Sequence, residues 1–316
     1  MHIALLTGGI STEREVALRS GKNMNDWVQK AGHTSEVFDF PSDIHRFLKR
    51  YQATILAKHF PTKTLRNHLE NHQDFDLVIP VFHGVYGEDG QVTAFLQTLG
   101  YKYAYSDFEV HALCINKYQT NLLLQSIDIC IPETLLQRKY SDYSLKNIHF
   151  PAIVKPNRGG SSIGIHKVQN MQELKRACET IKDDDILIQK CIEGREFTVG
   201  VYHDATGYHS LPIIEIITQN GTFFDYSEKY ETDGSNEVFL KGEEELQKKL
   251  SETSQRICEY IGTRGAVRLD YRYDGKDIYF LEVNTIPGFT TGSLIPKMWK
   301  KAGKTEKECI KMLMNT

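Results

Sequence analysis

The stretch PAIVKPNRGGSSIGIHKV, residues 151–168, holds two apolar runs, 151–155 and 163–168, on either side of a loop of glycine and serine. Short apolar runs bounded by turn residues read as strands. Lys155 closes the first strand, and Gly159, Gly160, Ser161, Ser162 and Gly164 follow it. Glycines let backbone N–H groups turn toward an anion with no Cβ in the way, and the serine hydroxyls add donors. The loop therefore suits a phosphate, although the lysine precedes the glycines and the Walker order is absent. Taken alone, the stretch also fits a plain hairpin loop that happens to carry a lysine.

Toward the C-terminus, further strands are expected at 186–190, 195–203 and 211–217, then a charged helix over 242–261. Runs 265–273 and 277–283 flank Asp274-Gly275, a hairpin signal. Alternation places Arg268 with Asp270 on one face and Glu282 with Asn284 on one face, with Val267, Leu269, Leu281 and Val283 turned to the core. Opposed across the hairpin, the polar faces gather two carboxylates, an amide and a guanidinium. Such hard oxygen donors suit Mg²⁺, which shares its coordination with nucleotide phosphates; a solvated cross-strand charge pair is the plainer alternative. The segment 284–294 that follows can present N–H groups to an oxyanion, or simply start a helix with Ser293 as its N-cap.

Toward the N-terminus, strands at 2–6, 35–40 and 76–82 alternate with helices, one of them starting near Glu13 with Thr12 and Glu15 spaced as a capping box. Helices are expected at 42–50, 62–72 and 111–127. This alternation implies a parallel sheet covered on both faces, followed by an antiparallel-rich part. His83-Gly-Val-Tyr-Gly-Glu-Asp-Gly90 leaves the third strand, and Glu13 follows the first, both at the edge where open α/β sheets bind ligands.

The chain has 316 residues, with 38 Lys and Arg against 41 Asp and Glu, a net charge of −3. That near balance argues against a polyanion partner, so no nucleic acid is expected. No apolar run approaches the ~20 residues of a bilayer span, and no export signal is visible, so a cytoplasmic protein without a membrane partner is expected. Six scattered cysteines without a C-x-x-C, and histidines without H-E-x-x-H spacing, argue against disulfides and a transition metal.

Eight segments in order resemble the D-alanine–D-alanine ligases of the ATP-grasp superfamily: GGISTEREVALRSG (8–21), HGVYGEDG (83–90), NKYQT (116–120), IVKPNRGGSSIG (153–164), IEGREFTV (192–199), FFDYSEKY (223–230), RGAVRLD (264–270) and LEVNTIPGFTTGSLIP (281–296). The resemblance implies an α/β and α+β architecture: an N-terminal Rossmann-like domain (1–110), a small central ATP-grasp lobe (111–200), and a C-terminal lobe (201–316) with a mobile loop at about 222–240.

It implies ATP-dependent joining of two D-alanine molecules through a D-alanyl phosphate, for cell-wall precursor synthesis. Lys117 and Lys155 would hold the phosphates under Gly160, Ser161 and Ser162. Gln189, Lys190 and Ile192 would form the adenine hinge, with Glu196 on the ribose. Asp270, Glu282 and Asn284 would hold two Mg²⁺ (or Mn²⁺). Glu13, with His83 nearby, would receive the first ammonium group; Arg268 and the Gly288 N–H would face the oxyanion. Lys229, Ser293 and Leu294 would take the second carboxylate, and Ser161 and Tyr230 would fasten the mobile loop to Glu13. A homodimer is implied as well.

Three positions depart from the family pattern: Gln189 replaces a glutamate, Tyr105-Ser106-Asp107 replaces a glycine-rich segment, and Thr93-Ala94 replaces Gln-Gly. A D-alanine–D-lactate ligase and a non-catalytic ATP-binding module are the rival readings. The intact Lys229-Tyr230 disfavours the first, and the complete set Asp270, Glu282, Asn284 and Arg268 disfavours the second.

Overall fold

In the computed structural model, the described residues are 1–40, 42–43, 75–139, 148–160, 163–217 and 236–316. The helix expected at 62–72 and all but the first two residues of that expected at 42–50 lie outside them, as do Ser161, Ser162, Lys229, Tyr230 and most of the 222–240 loop.

The first sheet is parallel, with β1 (His2–Gly8) flanked by β2 (Thr34–Phe40) and β3 (Leu77–Pro80). All four residues of β3 are buried, as expected of a strand covered on both faces. Helix α1 (Arg14–Lys30) covers one face with Met24, Trp27 and Val28. Helix α2 (Gln91–Leu99) covers the other with Val92 and Leu96.

The stretch 108–125 is two helices, α3 (Phe108–Ile115) and α4 (Lys117–Gln125), where the sequence suggested one over 111–127. The break falls at Asn116, whose ψ of 87° is non-helical and whose side chain accepts from Gln119 N–H. An asparagine that caps the next helix interrupts the apolar period only locally, so the break is invisible to periodicity.

The second sheet is antiparallel, in the order β4 (Thr134–Gln137), β7 (Ile186–Lys190), β5 (Ala152–Pro156), β6 (His166–Val168). Strand β6 is shorter than the expected 163–168, because 163–164 form a turn. Helix α5 (Met171–Thr180) packs Leu174, Ala177 and Cys178 against it, closing a small core of its own.

The third sheet runs β11 (Asn236–Phe239), β10 (Ile214–Ile217), β8 (Arg195–Asp204), β12 (Ala266–Tyr273), β13 (Ile278–Asn284), with β9 (Gly207–Ser210) paired to β8. Residue 200 therefore falls inside one strand of this sheet. Helix α6 (Glu244–Ile261) backs the sheet, and α7 (Leu294–Lys301) and α8 (Glu306–Met314) close the chain. Among the described residues, no helix is long and apolar enough to cross a membrane.

Candidate active site

The hairpin β12–β13 pairs Arg268 with Asn284 and Asp270 with Glu282, the register the alternation argument requires. Strand β8 extends the rows, with Thr198 opposite Asp270 and Glu196 opposite Arg272. Val267, Leu269 and Val283 are buried on the other face. Leu281 is not with them. Pairing passes from Asp270–Glu282 to Tyr271–Phe280, so Leu281 is the unpaired residue of a bulge and lines the ligand cleft. Bulges re-aim a side chain in this way beside functional sites, and strict alternation cannot anticipate one.

Two clefts meet over these rows. One is lined by Lys117, Lys155, Gly160, Gln189, Lys190, Ile192, Glu196, Asp270 and Glu282, all expected there, together with Arg272 and Leu281. The other is lined by Glu13, His83, Glu88, Arg268, Asn284, Gly288, Ser293 and Leu294. Gly160, Glu196 and Asp270 belong to both.

In the first cleft, Lys117 Nζ reaches Glu282 at 3.3 Å and also donates to the Gly159 carbonyl. Burial pulls the Lys155 ammonium down to about 8, while the carboxylate of Glu282 works in the other direction. The two lysines belong to different elements, α4 and β5, and a buried clasp fixes their spacing. Asn157 accepts Lys117 N–H at its backbone carbonyl and Tyr118 N–H at Oδ1, and its Nδ2 donates to Asn116 Oδ1. Glu196 pairs with Arg272 at 2.9 Å.

Asp270 is held by Arg268, whose Nε and Nη2 donate at 3.1 and 2.9 Å, by the Thr198 hydroxyl, and by Asn284 Nδ2 at 3.3 Å. With Glu282 opposite, the group offers two carboxylates and an amide oxygen. That donor set fits a hard divalent cation that completes its shell with phosphate oxygens and water.

In the second cleft, the expected capping box of Thr12 and Glu15 does not form. Glu13 holds the N-cap position of α1 without a side-chain cap bond, while Ser11 accepts from Glu13 N–H and donates to the His83 carbonyl. The Glu13 carboxylate faces the cleft instead: a Cβ added to Gly84 or Gly160 would stand 3.3 or 3.2 Å from its Oε2.

His83 is buried, and burial holds its imidazole below its ordinary range despite the pull of Glu13. Its Nδ1 faces the Ile286 carbonyl at 3.2 Å, so this nitrogen carries the proton and Nε2 accepts from Ser20 Oγ at 3.1 Å. Ser20 in turn accepts from Phe289 N–H at 3.1 Å. His83 thus anchors the 286–289 loop that presents Gly288. Ser293 occupies the N-cap position of α7, yet its Oγ makes no cap bond and accepts from Thr290 N–H at 3.0 Å.

Three cleft residues carry no role in the sequence motifs: Glu88, Arg272 and Thr198. Glu88 accepts from Gly84 N–H at 2.9 Å, and burial, then the negative Glu13, push its carboxyl up to about 8. Arg272 and Thr198 sit two residues from Asp270 and Glu196, on the same strand faces. Applying the alternation to β8 and to the rest of β12 would have found both.

Tyr105, in the segment that departs from the family's glycines, has φ of 74° and is buried against Gly265. It adopts the left-handed conformation a glycine would take, which costs an L-residue roughly 1–2 kcal/mol. Burial of its ring offsets that.

The family model D-ala D-ala ligase N-terminus matches residues 2–106, and D-ala D-ala ligase C-terminus matches 131–315. The D-alanine–D-alanine ligase of Thermotoga petrophila is 34% identical over 326 aligned positions, covering 100% of this chain and 97% of the relative. That of Aquifex aeolicus is 35% identical, covering 99% and 100%. Among solved structures, the Bacillus anthracis D-alanine–D-alanine ligase complexed with ATP superposes with a TM-score of 0.81 at 25% identity, covering 100% of this chain and 97% of that one. The VanG D-Ala:D-Ser ligase of Enterococcus faecalis gives 0.79 at 26%, covering 99% and 98%. By full-length likeness in sequence and in fold, the chain belongs to the D-alanine–D-alanine ligase family.

Proposed function

We propose that this protein joins two D-alanine molecules at the expense of ATP, supplying the dipeptide for peptidoglycan precursors. The observation that carries the reading is the shared wall of the two clefts. Phosphate-type lysines stand on one side of Asp270, Glu196 and Gly160, and an acid for an ammonium group with an oxyanion donor pair stands on the other.

In the first step a D-alanine carboxylate oxygen attacks the γ-phosphorus, the bond to ADP breaks, and an acyl phosphate forms. Lys117 and Lys155 pair with the phosphate oxygens, and Glu13 orients the substrate by its ammonium group. In the second step the amine of another D-alanine attacks the activated carbonyl, loses a proton and expels phosphate. Arg268 and the Gly288 N–H donate to the oxyanion of the tetrahedral intermediate, preorganised by Asp270 and by the His83–Ser20–Phe289 chain. Ser293, Leu294 and Lys229 take the second carboxylate. Ser161, Ser162 and Tyr230, which lie outside the described residues, would close the site, Ser161 and Tyr230 through Glu13, and so keep water from the acyl phosphate.

Asp270, Glu282 and Asn284 would hold two Mg²⁺, which neutralise phosphate charge when bound. Gln189, Lys190 and Ile192 receive the adenine and Glu196 the ribose. We propose three lobes, 1–110, 111–200 and 201–316, with the boundary at 200 moved back to Arg195, where β8 begins. The cytoplasmic setting and the homodimer rest on family likeness.

The test is ADP release against a panel of D- and L-amino acids, with D-serine and D-lactate offered as second substrates. Release with D-alanine alone is expected. Release only when D-lactate or D-serine is added would reject the dipeptide product, and no amino-acid-dependent release would reject the ligase.

A further inference from the structure

Gln189 is an amide at the hinge position where the resemblance implies a glutamate, and the two groups are not equivalent toward a nucleobase. A carboxylate presents an acceptor whichever oxygen faces the ligand. An amide presents an acceptor or a donor according to its rotation, so something must fix which end points into the cleft.

The structure contains such a device. Gln189 is 3% exposed and stands opposite Thr134 in the β4–β7 pairing. Its Nε2 donates to Thr134 Oγ1 at 2.8 Å, and the Thr134 hydroxyl donates to the Pro132 carbonyl at 2.6 Å. A hydroxyl has one proton. With that proton engaged by Pro132, Thr134 can only accept from Gln189, and the NH₂ end of the amide is held to the strand. Among the described residues no other group donates to Gln189 Oε1, and Gln189 lines the nucleotide cleft.

We propose that Thr134 is a positioning residue for base selection: the relay from Gln189 through Thr134 to the Pro132 carbonyl fixes the amide with its acceptor toward the base. This rests on the ATP-site reading above and deepens it. The site then takes a base with an exocyclic amine at that point, as adenine has. It disfavours one with a carbonyl there, as guanine has, because two acceptors would face each other. Turning the amide to suit guanine removes the bond to Thr134 and sets Oε1 against an oxygen whose only proton is already donated. A carboxylate at 189 would need no relay.

The experiment measures ADP and GDP binding by calorimetry on the full chain, with kcat/KM for ATP and GTP beside it. Thr134→Val, which keeps the shape and removes the hydroxyl, is expected to narrow the ADP-to-GDP preference roughly tenfold while KM for D-alanine holds. Thr134→Ser is expected to keep the wild-type preference. In a Gln189→Glu background Thr134→Val is expected to leave the preference unmoved, which a general packing defect would not do. A preference within twofold of wild type in Thr134→Val, or a shift that persists beside Gln189→Glu, overturns the proposal. Wild-type protein binding neither nucleotide would instead reject the ATP site itself, and the relay with it. Selective ADP binding without D-alanine-dependent ADP release rejects only the ligase reading and leaves the relay to be judged by the binding ratios.

Discussion

Glu88 is a half-buried carboxyl group beside the carboxylate of Glu13, and desolvation and that neighbour raise its pKa to about 8, favouring the protonated form at neutral pH. In the unfolded chain the same group ionises near 4.5. Between those values the folded state keeps a proton that the unfolded state has lost, so stability falls as pH rises through the window, by at most ~1.4 kcal/mol per pH unit. Glu88→Gln cannot ionise, and is expected to flatten the dependence and to be more stable than wild type near pH 8; urea unfolding at pH 5.5 and 8 reads both. Glu282 pairs with Lys117 and faces Asp270. Glu282→Ala is expected to lower turnover by roughly 100-fold or more while the fold persists, and unchanged turnover would move the metal carboxylates elsewhere. The residue types at these positions were legible in the sequence, down to the carboxylates and Arg268. The raised pKa of Glu88 was not, because the groups that desolvate it come from segments distant in the chain.

At the scale of elements, the hairpin was legible because period-2 alternation survives from Arg268 to Asp270 and from Glu282 to Asn284. It failed at Leu281, where one extra residue turns an expected core side chain into a cleft wall. The joint between α4 and β5 was equally hidden, since Asn116 and Asn157 are 41 residues apart and neither belongs to an apolar pattern. Their clasp makes a testable statement. Asn157→Ala removes an acceptor from the start of α4 and the amide bond to Asn116, and is expected to cost about 1–2 kcal/mol of stability. The same change should raise KM for ATP and leave KM for D-alanine alone, because it loosens Lys117 against Lys155. Initial rates with each substrate varied would show this, and an equal rise in both constants would speak against it.

Across the whole molecule, the alternation of strands and helices pointed correctly to a parallel sheet followed by antiparallel ones, but not to how the parts are joined. Asn23 Nδ2 donates to the Phe289 carbonyl at 2.7 Å and Trp27 meets the Phe289 ring edge-on at 4.8 Å. One core runs from β1 and α1 through Trp299 to α8. The first sheet and the chain's last helices are therefore bound together. The sheet of β4 to β7 keeps its own small core of Ala152, Val154, Val168, Leu174, Ala177, Cys178, Ile186 and Ile188. A small core supplies little free energy, so this part is expected to open before the rest. Limited proteolysis should cut first within 131–192, and ADP should slow that cut, since a ligand held partly by Lys155 and Gln189 favours the closed form by mass action. First cuts in α1 or α8 would show the opposite order. For a cell, a separate small core makes the enzyme's lifetime a function of its nucleotide: proteases act on the open population, and molecules left empty when ATP runs low are expected to be cleared ahead of those still loaded.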